Sequence, residues 1–424
     1  MQQHTDQRAA AGKPFLSSGE VVERLGISKA TLYAYVSRGL IRSEPVPESP
    51  RTRRYRADDV ERLLNRQRMR SDPESATDSA LDWGSPLMES SVSFISDGDL
   101  FYRGQSAVEL ARSRTFEEVT ALLWFNDLDA SLPEPARDAA EARRDVLSLS
   151  RDLSDRLDVP ARVQLMLPAL EQHERASFDR RSETTYRIGW DIVQLFLAAL
   201  TGAEGRSGIA RTLQAYWAPG RSEFIRPLDA ALILAADHEL NASTFTARCI
   251  ASAGSPVHSA ITGGLAALRG AKHGGATRQV DALFHEAAHP DTAYEVLRAR
   301  LERGEPLPGF GHRLYPHGDP RGAELLEQLR AVDPDSAPIQ LANALAGAAE
   351  ELQGAKPNLD FGLATLSRAM GQQDGTAFAL MALGRTVGWV AHVQEEYARD
   401  QLIRPRARSG GADVSESARG THSA

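Results

Sequence analysis

The chain of 424 residues has almost no cysteine, with Cys249 the single one. No disulfide can form within it, which excludes a disulfide-stapled scaffold and points to a reducing cytoplasm. Aromatic residues are sparse at 6%. The opening residues Met1-Gln-Gln-His-Thr-Asp-Gln-Arg8 hold no apolar signal core. Long apolar runs are missing too. Residues 192–200 form the best of them and are interrupted by Gln194, too short to span a membrane. There is no internal repeat and no sustained alternation that would build an extended sheet. The histidines lack compact ligand spacing and the one cysteine is remote from them, so no metal site is implied.

What is present is ordinary for a globular protein: 42% hydrophobic and 25% charged residues. The length suggests two or three domains. Charge is uneven. Residues 1–70 carry 14 Lys and Arg against 8 Asp and Glu, a net of +6, in a chain whose total is −8. A basic module joined to an acidic body suggests an added nucleic-acid contact, or simply a soluble small domain. Residues 71–84, rich in Ser, Asp and Pro at their start, read as a linker, and 409–424 as a disordered tail. The body between is mainly α. Helices are expected over 116–124 with Thr115 as N-cap, 188–200, 242–253, 256–268 and 375–397, with Gly254 punctuating the middle pair.

The body carries six motifs in order. Ala236-Asp-His-Glu-Leu-Asn-Ala-Ser-Thr244 comes first, then Lys272-His-Gly-Gly-Ala276 and Gly309-Phe-Gly-His-Arg-Leu-Tyr315 with Asp319-Pro-Arg321. Pro357-Asn-Leu-Asp360, Gly384-Arg-Thr-Val-Gly-Trp389 and Leu402-Ile-Arg-Pro405 follow. Three histidines, one aspartate and three arginines stand in loops or at helix edges. Arginine forks clamp a small dicarboxylate, a carboxylate takes a proton, and histidines handle charge developing on carbonyl oxygens. Read locally, Asp360 is equally an N-cap, and any one arginine a surface ion pair. Arg385 lies in an otherwise apolar stretch, 378–390, where a charge needs a partner.

These motifs resemble the citrate synthase family over about 85–408. The resemblance implies a mainly α fold with a large and a smaller helical domain, the smaller at roughly 276–375. It implies condensation of acetyl-CoA with oxaloacetate and water to give citrate and CoA, the reaction that feeds the tricarboxylic acid cycle. It assigns Asp360 as the base, His273 as donor to the thioester oxygen and His312 to the carbonyl of oxaloacetate. His238, Arg321, Arg385 and Arg404 bind oxaloacetate. Arg404 is delivered to a neighbouring subunit, which requires at least a homodimer. Acetyl-CoA is a substrate, so no cofactor is implied. Two departures bear on the acyl-CoA. Pro316-His317-Gly318 replaces a basic residue after Tyr315, and Met381 stands where many relatives have Phe. The latter leaves a propionyl-CoA-using 2-methylcitrate synthase open. A DNA-binding, metabolite-sensing regulator on the same fold is the reading of a different class.

At the other end, residues 14–70 resemble the winged helix-turn-helix of MerR-type and excisionase-type proteins. Helix 20–25, a turn at Gly26 and a recognition helix 28–37 capped by Ser28 are expected. Lys29, Thr31, Tyr33 and Arg38 would face DNA, with Arg53 and Arg54 on the wing against phosphates.

Overall fold

The computed structural model describes residues 15–46, 49–57, 59–60, 63–64, 88–134, 137–150, 156–202 and 208–406. The chain divides into two compact units, residues 1–89 and 90–424. The linker and tail expected from the sequence lie outside the described residues.

In the first unit β1 (Phe15–Ser17) runs directly into α1 (Ser18–Leu25). The Ser17 hydroxyl accepts from the Glu20 N–H at 3.3 Å, and the Ser17 N–H donates to the Glu20 carboxylate at 2.7 Å. This reciprocal cap starts the helix two residues before Glu20. Gly26, at φ 62°, closes it as the sequence suggested. Ser28 then caps α2 (Lys29–Ser37). The strands β2 (Ser43–Val46) and β3 (Ser49–Arg56) complete an antiparallel sheet in the order β1-β3-β2. The register sets Leu16 and Ser43 on either side of Tyr55. Leu16, Val21, Leu25, Leu32, Ile41, Tyr55 and Val60 form the core of this unit.

The second unit is helical apart from one meander, β4 (Ser93–Ser96), β5 (Asp99–Tyr102) and β6 (Gln105–Ser106). Its turns are two-residue turns with both central residues at positive φ: Asp97 at 54° with Gly98 at 84°, and Arg103 at 47° with Gly104 at 84°. The Asp97-Gly98 dipeptide suits such a turn, and the sequence reading did not single it out. The expected helices are present as Phe116–Phe125, Ser182–Thr201, Ala242–Ser252, Val257–Leu268 and Thr376–Arg399. Thr115 caps the first through a capping box with Glu118.

The Thr376–Arg399 helix runs through the core against Ile225–Ala235. Two glycines let these backbones touch. A Cβ on Gly384 would lie 2.7 Å from the Leu232 carbonyl oxygen, and one on Gly388 closer still to that of Ala236. Arg385, between them, is thereby pressed against the end of the neighbouring helix. Five α-helices fall in the 276–375 range: Thr277–Ala287, Ala293–Glu302, Pro320–Val332, Ala337–Gln353 and Leu359–Ala369. No helix among the described residues is long and apolar enough to cross a membrane.

Candidate active site

The Ile225–Ala235 helix opens into a loop that presents His238, and the meander grips this loop from one side. The Tyr102 hydroxyl lies 2.9 Å from the Ile233 carbonyl and 3.1 Å from that of Asp237. Ser93 Oγ donates to the Asp237 carboxylate and accepts from the Glu239 N–H at 3.1 Å. Glu239 sits at φ 52°, a left-handed conformation that side chains other than glycine seldom adopt. Its carboxylate accepts from the Ile95 N–H at 2.5 Å, so surrounding bonds hold the strained turn.

His238 is buried, with Nε2 2.9 Å from the Tyr315 hydroxyl. The rings of His238 and His312 pack edge to face at 5.1 Å, and His312 lies 4.9 Å from Tyr315. The Leu314 N–H donates to His312 Nδ1 at 3.2 Å. An N–H can only donate, so Nδ1 holds a lone pair and the neutral ring carries its proton on Nε2. Burial, aided by Arg321, lowers His312 to about 4.

Asp319 caps the Pro320–Val332 helix and does more. Its Oδ1 accepts from the Arg321 backbone N–H and Nε, both at 3.0 Å. Its Oδ2 accepts from Arg321 Nη2 at 2.9 Å and from the Leu359 N–H at 3.1 Å. One buried carboxylate thus sits at the first turns of two helices, which favour a negative charge, and orients the arginine fork. Burial alone would lower the Arg321 pKa, and Asp319 reverses that.

Asp360 is the second residue of the Leu359–Ala369 helix, not its N-cap. Asn358 is the cap, accepting from the Phe361 N–H at 3.3 Å. Asp360 Oδ1 is buried with no hydrogen-bond partner among the described residues. Burial raises its carboxyl to about 7, with Asp319 adding and Arg321 and Arg385 opposing. Arg385 donates from Nε to the Ala235 carbonyl at 2.7 Å, while its buried Nη1 likewise finds no partner. A buried guanidinium nitrogen and a buried carboxylate oxygen that both lack a hydrogen bond are costly unless a ligand completes them.

His273 stands against the N-terminus of the Ala242–Ser252 helix. Its Nε2 lies 2.9 Å from Ser243 Oγ and 3.1 Å from Asn241 Oδ1, the capping oxygen of that helix. Burial, with Arg385 adding, lowers it to about 4. His238 falls well below the usual range through burial, and the charges of Arg321 and Arg385 act on it as well. All three histidines are therefore neutral near pH 7.

Six of the seven expected site residues converge in this way. Arg404 does not. It is exposed, and the neighbouring Ile403 N–H donates to Ser252 Oγ at 3.1 Å, at the far end of the Ala242–Ser252 helix. Those 11 residues span about 16 Å, more than one side chain bridges back to His273. The sequence reading missed Tyr315, Asp319 and Ser243 as site residues. Asp-Pro before Arg321 was a legible cap signal for Asp319. Lys356 was missed too. It lines, with His312, Tyr315 and His317, a cleft of about 430 Å³, its stem packed over Gly318. A hollow of about 480 Å³ beside Glu117, Asp129 and Trp190 holds none of these groups, so size does not mark the site. Among the described residues no group of three His, Cys, Asp or Glu side chains is placed to hold a metal.

In the first unit Lys29, Tyr33 and Arg38 are exposed, as a nucleic-acid face requires. Thr31 is half-buried, its hydroxyl 2.9 Å from that of the cap Ser28. Arg53 donates to Ser43 from Nε and Nη2 at 2.9 Å. Arg54 pairs with Glu44 at 3.4 Å and lies 4.0 Å over the Phe15 ring.

Comparison with known proteins agrees with this division. Residues 80–406 match the citrate synthase C-terminal domain family, and residues 15–68 match a helix-turn-helix domain. Citrate synthase 2 of Bacillus subtilis (strain 168) is 31% identical over 366 residues, covering 76% of this chain and 93% of that one. The 2-methylcitrate synthase of Mycobacterium tuberculosis (strain H37Rv) is 30% identical over 326 residues, covering 72% and 83%. Among solved structures, the citrate synthase of Thermoplasma acidophilum in ternary complex with carboxymethyl coenzyme A and oxaloacetate superposes with a TM-score of 0.63. It shares 26% identity and covers 77% of this chain and 95% of its own.

Proposed function

The chain belongs to the citrate synthase family and is an acyltransferase of that type; on that footing we propose that it condenses acetyl-CoA with oxaloacetate and water, releasing citrate and CoA. The observation that carries this reading is the pair of unsatisfied buried groups, Asp360 Oδ1 and Arg385 Nη1, joined through Arg321 and Arg385 to three neutral histidines. In the proposed reaction Asp360 removes a proton from the acetyl methyl group. His273 donates to the thioester oxygen as the enol forms. For Nδ1 to be that donor, the Ser243 hydroxyl must turn its proton from Asn241 Oδ1, 2.7 Å away, to His273 Nε2 at 2.9 Å. The enol carbon attacks the ketone of oxaloacetate, whose oxygen is polarised by the Nε2 proton of His312. Arg321, Arg385 and His238 hold the carboxylates. Water then cleaves the thioester and frees the CoA thiol.

His312, Arg321 and Asp360 lie within 276–375, whereas His238, His273 and Arg385 lie outside it. Closure of that smaller lobe would assemble the catalytic set and exclude water. His317 and Lys356 at the cleft would meet the phosphates of the acyl-CoA in place of the basic residue absent after Tyr315. The similarity to 2-methylcitrate synthase favours propionyl-CoA as the second reading. Met381, buried one turn before Arg385, would then shape the acyl pocket.

Arg404 would complete the site of a second subunit in a homodimer. Arg404→Ala and Asp360→Asn proteins, each inactive alone, should recover thiol release after subunit exchange. Verified exchange without recovery would place Arg404 outside the site.

The helix-turn-helix unit, of MerR or excisionase type, would bind duplex DNA through Lys29, Tyr33 and Arg38 with phosphate contacts from the β3 arginines. Deletion of residues 1–70 should leave synthase turnover within about twofold, because the two units have separate cores. The full chain, and not the truncated one, should bind mixed-sequence duplex, with affinity falling about a hundredfold or more between 50 and 200 mM salt. Equal anisotropy titrations for both proteins would remove DNA from the account, and with it the regulator reading.

A further inference from the structure

The long helix carries a fully buried histidine, His392, that none of the proposed chemistry uses. Its Nε2 lies 3.1 Å from Asp237 Oδ2, and its Nδ1 lies 2.8 Å from Nη1 of Arg248, which is also fully buried. A guanidinium has no acceptor, so Arg248 must donate, and Nδ1 must hold a lone pair. The ring proton is then on Nε2, directed at Asp237.

Arg248 is itself held from several sides. Its Nε donates to Glu396 at 2.7 Å, its Nη2 bonds the same carboxylate, and its Nη1 reaches Glu395 at 2.5 Å. Glu395 in turn accepts from the Ser91 N–H at 2.7 Å and the Ser91 hydroxyl at 2.9 Å. A continuous polar chain therefore runs from Ser91, ahead of the meander, through Glu395, Arg248 and His392 to Asp237. Asp237 is the residue before His238, and it shares its Oδ2 with Ser93. The strained Glu239 follows at once.

We propose that His392 is a positioning residue for His238: locked by Arg248 as the Nε2–H tautomer, it anchors Asp237 and so fixes the turn that presents His238 to the acceptor substrate. The role rests on the reading that His238 binds oxaloacetate. It acts on acceptor binding and leaves the acyl-CoA cleft around Lys356 untouched, which separates it from a general packing role.

The experiment has three arms on the full chain. Histidine labelled with ¹⁵N gives one signal set per ring, and the set lost in His392→Gln identifies His392 among the 11 histidines. Wild type is expected to show the His392 proton on Nε2 alone; a proton on Nδ1 overturns the proposal. His392→Leu should raise the KM for oxaloacetate about ten- to a hundredfold, the loss expected for a hydrogen bond to a charged group, with the KM for acyl-CoA nearly unchanged. His392→Gln, whose amide N–H reaches the same carboxylate, should restore oxaloacetate KM to within about threefold of wild type. Parallel rises in both KM values, or a Gln variant as impaired as the Leu variant, contradict it. Should His392→Leu fail to fold, the tautomer and the Gln variant decide. A wild type without condensation activity would instead sink the proposed function, and the oxaloacetate arm would then be read by calorimetry.

Discussion

Replacing Asp360 by Asn is expected to lower turnover by about 10²- to 10⁴-fold, the usual contribution of a positioned general base. Oxaloacetate affinity measured by calorimetry should stay nearly constant, because the arginines that hold it are untouched. The same substitution should stabilise the unliganded protein. Burial raises the Asp360 carboxyl from 3.8 to about 7, so the ionised form destabilises the folded state at neutral and higher pH. At about 1.4 kcal/mol per unit the penalty is on the order of 4 kcal/mol at pH 8. It shrinks as pH falls through 7, where the folded state takes up the proton, and is nearly gone by pH 4, where the unfolded carboxyl also protonates. Asn never ionises, so its advantage in urea unfolding should be large at pH 8 and small at pH 4. A variant that turns over normally, or is no more stable at pH 8, would mean that Asp360 is not the poised base.

Arg385→Met is the second large effect. The Arg385 side chain is buried, burial lowers its pKa, and its Nη1 has no hydrogen-bond partner among the described residues. A bound carboxylate is the partner this geometry lacks. Removing one member of a buried charge pair costs about 2–5 kcal/mol of binding. Oxaloacetate KM should therefore rise by about two to three orders of magnitude, with acyl-CoA KM changed little. The melting temperature should change little, since the burial cost of the guanidinium is removed together with its bond to the Ala235 carbonyl and its attraction to Asp237. An unchanged oxaloacetate KM with a falling melting temperature would make Arg385 a structural residue.

Much of this was legible in the sequence because the motifs sit at helix edges that announce themselves. Thr115 with Glu118, Ser28 before α2 and Gly254 between two helices are local signals, and the helices form where those signals place them. Arg385 was legible because a charge inside an apolar helix must be explained by something outside the helix. What escaped were groups whose role depends on distant chain. Asp319 reads as a cap, and only the fold brings Leu359, 40 residues on, to its second oxygen. Asp360 was open to a capping role until Asn358 was seen to fill it. His392 and Arg248 lie 144 residues apart and have no local signature at all. Arg404 could not be placed from one chain, because the site it would serve is not at the end of the helix where it is anchored.

Condensation at this site depends on an ionised Asp360. The direct measurement is thiol release as a function of pH, with oxaloacetate and either acetyl-CoA or propionyl-CoA. Release should require both substrates. Because the base must be deprotonated and its carboxyl lies at about 7, kcat/KM should fall about tenfold per unit below that pH. His273 and His312, lowered to about 4, add no further step down to pH 5, and burial holds His238 well below its usual range. No release with either acyl-CoA, or a profile flat from pH 5 to 8, would contradict this role of Asp360.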